Sequence, residues 1–322
     1  MENKLNKIMK YKYTSTNIIM ITILGKKYTR NQDENKEFDK RFQSIPYFSY
    51  KYNFPHFENS LLNSDIGWGC TYRCGQMLLC NVLNDLNKKH YNNHQENNHE
   101  EENRKILNLF DDTITQPFSI HTMVKAVGDI YNYNIGTWLG PCTLSFTLKK
   151  IVSDFSSFNK NIILPNIYIT NDSIIYKNEI TKFPVLVLLP LQLGLNYINS
   201  YFTSILFEIL DHRLCMGIIA GKPKASFFII GHTETNFLYL DPHEITNNNI
   251  KNKHYIHTSD LDSSILLSFM CLNSIDLDVL QQFTNNLEKS FPSTYVYSFK
   301  DENLNYKITD NLDLNLDIDF EL

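Results

Sequence analysis

The stretch Ser64-Asp65-Ile66-Gly67-Trp68-Gly69-Cys70-Thr71-Tyr72-Arg73-Cys74-Gly75-Gln76 holds the densest chemical information in the chain. Two glycines lead directly into a cysteine, and an apolar pattern of helical period follows at Leu79, Val82, Leu83 and Leu86. A cysteine in the first turn of a helix sits among unpaired backbone N–H groups at the positive end of the helix dipole, which favours the thiolate. Flanking glycines let a substrate backbone come close to the sulfur. The arrangement suits a papain-type nucleophile, while a buried packing cysteine fits the bare residue equally well. Finding a base is what separates the two readings.

The base candidate lies in Phe237-Leu238-Tyr239-Leu240-Asp241-Pro242-His243. On an extended segment, residues two apart point to one side, so Asp241 and His243 can lie together, with Pro242 holding the backbone extended. A carboxylate beside an imidazole selects its tautomer and supports the imidazolium, which then pairs with a Cys70 thiolate. Asp-Pro-His alone reads as a turn with an incidental histidine; together with Cys70 it reads as catalytic.

Working outward, helical spacing appears at Ile120, Met123, Val124 and Val127 after a candidate N-cap at Ser119. It appears again after Pro141, along Leu144, Leu148, Ile151, Val152 and Phe155. Two later helices are marked by Phe202, Ile205, Leu206 and Ile209, and by Leu280, Phe283 and Leu287. Compact apolar runs at Val185–Leu189, Met216–Ala220, Phe227–Ile230 and Phe237–Leu240 read as strands. Helices come early and strands late, which predicts an α+β fold with a late antiparallel sheet.

Composition narrows the function classes. The chain has 322 residues, 43% of them hydrophobic, with a formal net charge of −5. That balance offers no footprint for a polyanion, so nucleic acid is not an expected partner. The six cysteines are too sparse for a disulfide framework and include no CxxC pair, which removes zinc ribbons and thioredoxin-type sites. His90, His94 and His99 fall in a polar tract without spaced partner ligands, so neither a metal nor a cofactor is expected. Gly217 to Pro223 resembles a phosphate loop only faintly: one residue is missing between the glycines, and Pro223 replaces the magnesium-binding hydroxyl. Near the start, lysines precede the apolar run Ile18–Leu24, but Gly25, Lys26 and Lys27 follow where a cleavage site would need small residues. The run reads as a buried strand, and the expected location is cytoplasmic.

The predicted division is an N-terminal extension over 1–22, a peptidase domain over 23–290 and an acidic flexible tail over 291–322. Residues 88–104, nearly all Asn, His, Glu and Lys, are expected to form a disordered insertion within the domain. His232 is expected in an exposed hairpin turn, His121 on a helix surface, and Cys74 in packing. Trp138, in Gly136-Thr137-Trp138-Leu139-Gly140-Pro141, reads either as the tip of a mobile loop or as a core plug.

These residues resemble the autophagins, the cysteine peptidases of autophagy. Gly67-Trp68-Gly69-Cys70 followed by Arg73-Cys74-Gly75-Gln76 is similar to their nucleophile motif, and Leu240-Asp241-Pro242-His243 to their acid-and-base motif. Further similarity lies in Phe48 to Phe54, Phe118 to His121, Trp138 to Pro141, Leu191 to Leu195 and Gly217 to Pro223. The resemblance implies a papain-like fold with Cys70 as nucleophile, His243 as general base and acid, and Asp241 as its orienter. It implies an oxyanion site from the Tyr50 hydroxyl and the Cys70 N–H. It also implies gating of the cleft by Trp138 and by the loop Lys222, Pro223, Lys224 and Ala225. The implied substrate is the ubiquitin-like autophagy modifier, cut after a glycine near its C-terminus. It would be met as free precursor and as phosphatidylethanolamine conjugate, the latter at a membrane surface.

Two alternatives stand beside this. A peptidase of the ubiquitin-fold modifier also uses Gly-Trp-Gly-Cys and Asp-Pro-His; Arg73 to Gln76 and Leu191 to Leu195 favour the autophagin. A non-catalytic modifier-binding scaffold would not need Tyr50, Cys70, Asp241 and His243 together. A transglutaminase-like enzyme would carry its histidine before its aspartate, the reverse of the order here.

Overall fold

The computed structural model describes residues 20–29, 32–58, 60–91, 99–159, 161–245, 251–292 and 294–302. A nine-stranded sheet forms its middle layer. The strands are β1 (Ile21–Ile23), β2 (Lys26–Tyr28), β3 (Asn166–Ile169), β5 (Val185–Tyr197), β6 (Cys215–Lys222), β7 (Ala225–His232), β8 (Phe237–Leu240), β9 (His254–Ile256) and β10 (Asp262–Cys271). Their order is β2-β1-β7-β6-β10-β5-β3, with β8 on β7 and β9 on β8. The predicted late antiparallel sheet is present, and one parallel pair, β3 with β5, makes it mixed. A separate parallel pair joins β4 (Ile174–Tyr176) to β11 (Ser298–Lys300).

The central strands are buried on both faces, so they read as continuous apolar runs and not as an alternation. Leu186, Leu188, Met216, Ile219, Phe228 and Ile230 face one core, while Val185, Val187, Leu189, Ile218, Phe227 and Ile229 face the other. The first core is covered by α2 (Cys70–Tyr91), α4 (Ile120–Tyr131) and α5 (Pro141–Ser156). The second is covered by α6 (Phe202–Asp211) and α7 (Ser274–Ser290). Each helix falls where its apolar spacing predicts. Ser119 caps α4 by accepting from the Thr122 N–H, an interaction of about 1 kcal/mol. Leu79, Val82, Leu83 and Leu86 anchor α2 in the first core, and the helix packs against β7 and β6. Its amino end lies beside the start of β7, where Thr71 meets Ser226, and β8, antiparallel to β7, finishes on that same side at Leu240, just before Asp241.

Three expectations are corrected. Residues 88–91 continue α2, and His99 opens α3 (His99–Asn108), so 88–104 is not a disordered block; residues 92–98 lie outside the described residues. Ile106 anchors α3 in the core, with buried Phe110 just past its end, and Lys105 pairs with Glu101 and Glu102 along it. At the other end, Val296 and Tyr297 are buried and Ser298–Lys300 forms β11, so ordered packing passes the boundary at 290; residues 303–322 lie outside the description. The boundary at 23 cuts through β1, which pairs with β2 and β7. Among the described residues, no helix is long and apolar enough to cross a membrane.

Candidate active site

Cys70 is the first residue of α2 and is fully buried. The turn before it is held by Asp65, whose main-chain oxygen accepts from the Trp68 and Gly69 N–H groups at 3.2 and 2.8 Å. Gly67 has φ +87°, a conformation that favours glycine. Thr71 donates to the Leu139 carbonyl at 2.9 Å and meets the Ser226 hydroxyl at 2.7 Å. The start of the helix is thereby tied to the loop that carries Trp138 and to Ser226 of β7, directly after the Lys222–Ala225 turn.

Asp241 and His243 come together as expected, by a different geometry. Pro242 and His243 form a turn, in which Asp241 Oδ1 accepts from the His243 backbone N–H at 2.9 Å and meets His243 Nδ1 at 2.6 Å. A side chain closing on its own backbone two residues on does the work assigned above to an extended strand. Tyr50 and Phe227 stand edge-on to the imidazole, with centroids 5.1 and 5.7 Å away. The Tyr50 N–H donates to the Pro242 carbonyl at 2.7 Å, and the Tyr47 hydroxyl donates to the Asp241 carbonyl at 2.6 Å. These bonds hold the base turn against the segment that carries Tyr50.

The electrostatics follow from these contacts. Burial pushes the Cys70 thiol up. Hydrogen bonds from His243, the Ser226 backbone N–H and Tyr50, with the charge of His243, outweigh it and bring the thiol down to about 7. Burial also disfavours a charged His243, but Asp241 and Cys70 overcome that and raise it to about 9. Asp241, pushed up by burial, ends below its ordinary value because His243 binds it. His243 Nε2 is buried and takes no hydrogen bond of standard geometry, so the ring keeps that nitrogen for the thiol beside it. Tyr50 is held well above the usual phenol range, by burial first and then by Cys70, so its hydroxyl keeps its proton.

Trp138 is 41% exposed, which disposes of the core-plug reading. It lines a narrow crevice together with Lys222, Lys224, Ala225 and Ser226. Lys222 pairs with Ala225 in the β6–β7 hairpin, leaving Pro223 and Lys224 as the two turn residues, with Lys224 at φ +66°.

Two histidines differ from expectation. His121 is buried, with Nε2 2.6 Å from the Pro55 carbonyl and its ring against Phe57. His232 belongs to β7, stacks on Phe207 and contacts Asp211 at 2.9 Å. Cys74 is in the core, as expected. Sequence reading missed Thr71, Tyr47 and Phe227, which carry no motif. It also passed over Asp65 and Arg73, whose opposite charges flank Cys70 in the quoted stretch and form a fully buried ion pair at 2.7 Å.

A buried thiol at a helix amino end, drawn down by an imidazole whose far nitrogen is held by a carboxylate, on helices packed to a mixed sheet, defines a papain-like cysteine peptidase. Residues 35–283 match the peptidase C54 catalytic domain, and the chain belongs to that family. It is 28% identical over 236 residues to the cysteine protease ATG4 of Candida albicans, covering 67% of this chain and 50% of that protein. It is 31% identical over 235 residues to a probable cysteine protease ATG4 of Meyerozyma guilliermondii, covering 70% and 54%. To cysteine protease ATG4D of Xenopus laevis it is 28% identical over 323 residues, covering 82% and 66%. The chain thus spans about half the length of the fungal relatives it matches.

Proposed function

We propose that this chain cleaves the bond after the C-terminal glycine of the ubiquitin-like autophagy modifier, in the precursor and in the conjugate with phosphatidylethanolamine. The observation that carries the reading is Cys70 at the amino end of α2 beside the His243 imidazole, whose Nδ1 meets Asp241 Oδ1 at 2.6 Å, an arrangement that draws the thiol down to about 7 and raises the imidazole to about 9. Between those values the pair stands as thiolate and imidazolium, ready to attack a carbonyl and then to protonate an amine. The family and the ATG4 names of its relatives support the choice of substrate.

The steps follow from the groups present. Cys70 Sγ attacks the glycine carbonyl carbon, and the oxygen takes the negative charge between the Tyr50 hydroxyl and the Cys70 N–H. As the tetrahedral centre collapses, the C–N bond breaks and His243 Nε2 gives its proton to the leaving nitrogen. The thioester that remains is attacked by water, which His243 deprotonates; the S–C bond breaks, and a glycine carboxylate and the thiol are restored. Asp241 holds the imidazole through Nδ1 in both halves. The leaving nitrogen belongs to the next residue in a precursor and to ethanolamine in the conjugate, so one site serves both amides. Trp138 and the Lys222–Ala225 turn face each other across the entrance and admit an extended tail. A cytoplasmic enzyme that meets the membrane only through its conjugated substrate fits these roles.

The test is incubation of the purified protein with modifier precursors carrying C-terminal extensions, one of the autophagy modifier and one of the ubiquitin-fold modifier. The expected result is cleavage of the first alone, after its glycine. Cleavage of the second alone, or of neither, overturns the reading.

A further inference from the structure

An oxyanion site shared between a side-chain hydroxyl and a helix N–H works only if the two donors keep a fixed separation. The Cys70 N–H is fixed by α2. Tyr50 has no such support, because residues 46–51 belong to no helix or strand. What holds them is a set of single bonds. On one side the Tyr50 N–H reaches the Pro242 carbonyl. On the other side the next peptide is gripped by Asp65. Its Oδ1 accepts from the Lys51 N–H at 2.7 Å, and its own N–H donates to the Lys51 carbonyl at 3.2 Å.

The second oxygen of the same carboxylate, Oδ2, accepts from Arg73 Nε at 2.7 Å, with both side chains fully buried. Arg73 lies in the first turn of the nucleophile helix. Its Nη1 is fixed in turn by both oxygens of Asp112, at 2.9 and 3.0 Å, and by Gln76 Oε1 at 3.0 Å. Asp112 also receives Lys51 Nζ at 3.1 Å. One carboxylate therefore spans the gap between the peptide after Tyr50 and the helix that begins at Cys70. The fit is close: a Cβ on Gly69 would stand 2.5 Å from Asp65 Oδ2. Glycine immediately before the nucleophile thus makes room for the carboxylate as well as for substrate. Buried ion pairs of this kind often add little stability over well-packed apolar residues of the same shape, so stability alone does not account for the pair.

We propose that Asp65 is a positioning residue of the peptidase site, clamping the Lys51 peptide to Arg73 and so setting the Tyr50 hydroxyl against the Cys70 N–H. The proposal rests on the peptidase reading above. Asp65 acts through Tyr50 and touches neither the thiol nor the substrate. It therefore matters most where charge develops on the oxygen, and at the thiolate only through Tyr50, the smallest of the three donors to Cys70.

The experiment compares Asp65→Asn in the wild-type and Tyr50→Phe backgrounds. Two readouts are taken: cleavage of the extended modifier precursor, and alkylation of Cys70 by iodoacetamide, which needs the thiolate but no oxyanion site. Asn keeps an oxygen for the Lys51 N–H and loses the charge that fixes it to Arg73. In the wild-type background kcat is expected to fall on the order of tenfold with KM little changed, less than the 10²–10³ for removing an oxyanion donor outright. The pH profile of alkylation is expected to move up slightly, and no further than it moves in Tyr50→Phe. In the Tyr50→Phe background the same substitution is expected to cost nothing further. If Asp65→Asn does not fold, Asp65→Asn with Arg73→Gln removes both charges and enters the same cycle. Equal losses in the two backgrounds, or an alkylation profile that moves further than in Tyr50→Phe alone, overturn the clamp while the peptidase reading stands. A wild type that cleaves no precursor overturns both.

Discussion

Cys70 and Cys74 lie one turn apart on α2, and their surroundings drive them in opposite directions. Cys70, at the open amino end, is drawn down to about 7 by His243, the Ser226 N–H and Tyr50 in spite of burial. Cys74 is buried as deeply but has no donor aimed at it, and burial with the nearby Cys70 and Asp241 pushes its thiol well above the ordinary value. Burial alone makes a thiol inert; burial with three donors makes it a nucleophile. The difference comes from outside the helix, from the Asp241–His243 turn, the β7 backbone and the Tyr50 segment. The comparison predicts that Cys70→Ala abolishes precursor cleavage and Cys74→Ala does not. The first is expected to leave no turnover with an unchanged circular-dichroism spectrum. The second is expected to keep activity within a few-fold and to cost about 1 kcal/mol of stability from the lost packing. Equal loss from both would mean that the two thiols act as a unit.

The contrast sharpens when its electrostatic source is removed. Cys70 at about 7 and His243 at about 9 titrate as a coupled pair. Below about 7 the thiol takes up its proton and the nucleophile is lost. Above about 9 the imidazole gives its proton up and no acid remains for the leaving amine. The kcat/KM profile of the wild type is therefore expected to rise through the first value and fall through the second. Asp241→Asn removes a group that raises His243, so His243 moves down and, with its charge weakened, Cys70 moves up. The active window narrows from both sides. A loss on the order of 10²–10⁴ in kcat is expected, with measurable activity remaining. Stopped-flow alkylation across pH checks the thiol limb directly. An unmoved limb in Asp241→Asn would show that another group supports the imidazole.

Cys70, Asp241 and His243 were legible because their chemistry needs neighbours close in sequence: glycines before a helix start, and a carboxylate two residues from an imidazole. The helices α2, α4, α5, α6 and α7 were legible because each buries a regularly spaced apolar face. What escaped reading shares a different property. β10 is buried on both faces and broken by serines, and Ser268 is tolerated in the core only because its hydroxyl donates to the Gly217 carbonyl at 2.7 Å. α1 (Gln32–Ser44) is so polar that, among its described side chains, Phe38 and Phe42 mark its inner side, with Ile45 just past its end. His121 and His232 looked exposed because their partners, Pro55 and Asp211, are remote or lie on another element. The Asp65–Arg73–Asp112 chain was invisible for the same reason, since Asp112 sits 39 positions from Arg73. Local chemistry can be read from spacing, whereas a partner brought in by the fold cannot.

The smallest expected effect concerns the entrance. Trp138 is tied to the nucleophile only indirectly, through the Leu139 carbonyl that receives the Thr71 hydroxyl. Its ring is partly exposed and faces the Lys222–Ala225 turn across the crevice. Pro223 has a fixed φ, so that turn offers few conformations to an incoming chain. On the proposed reading, an extended tail would enter between ring and turn, and a residue without a side chain would pass beneath the indole. A methyl or hydroxymethyl there would meet the ring and have to push it aside. Trp138→Ala is therefore expected to raise cleavage of precursors with Ala or Ser in place of the terminal glycine by a few-fold relative to Gly. It is also expected to slow the native sequence slightly, because a more open site admits water around the Cys70–His243 pair. Competition among Gly, Ala and Ser precursors in one reaction reads the ratio directly. Unchanged ratios would place the demand for glycine elsewhere, in the backbone contacts around Cys70, and the entrance would be left with no part in selection.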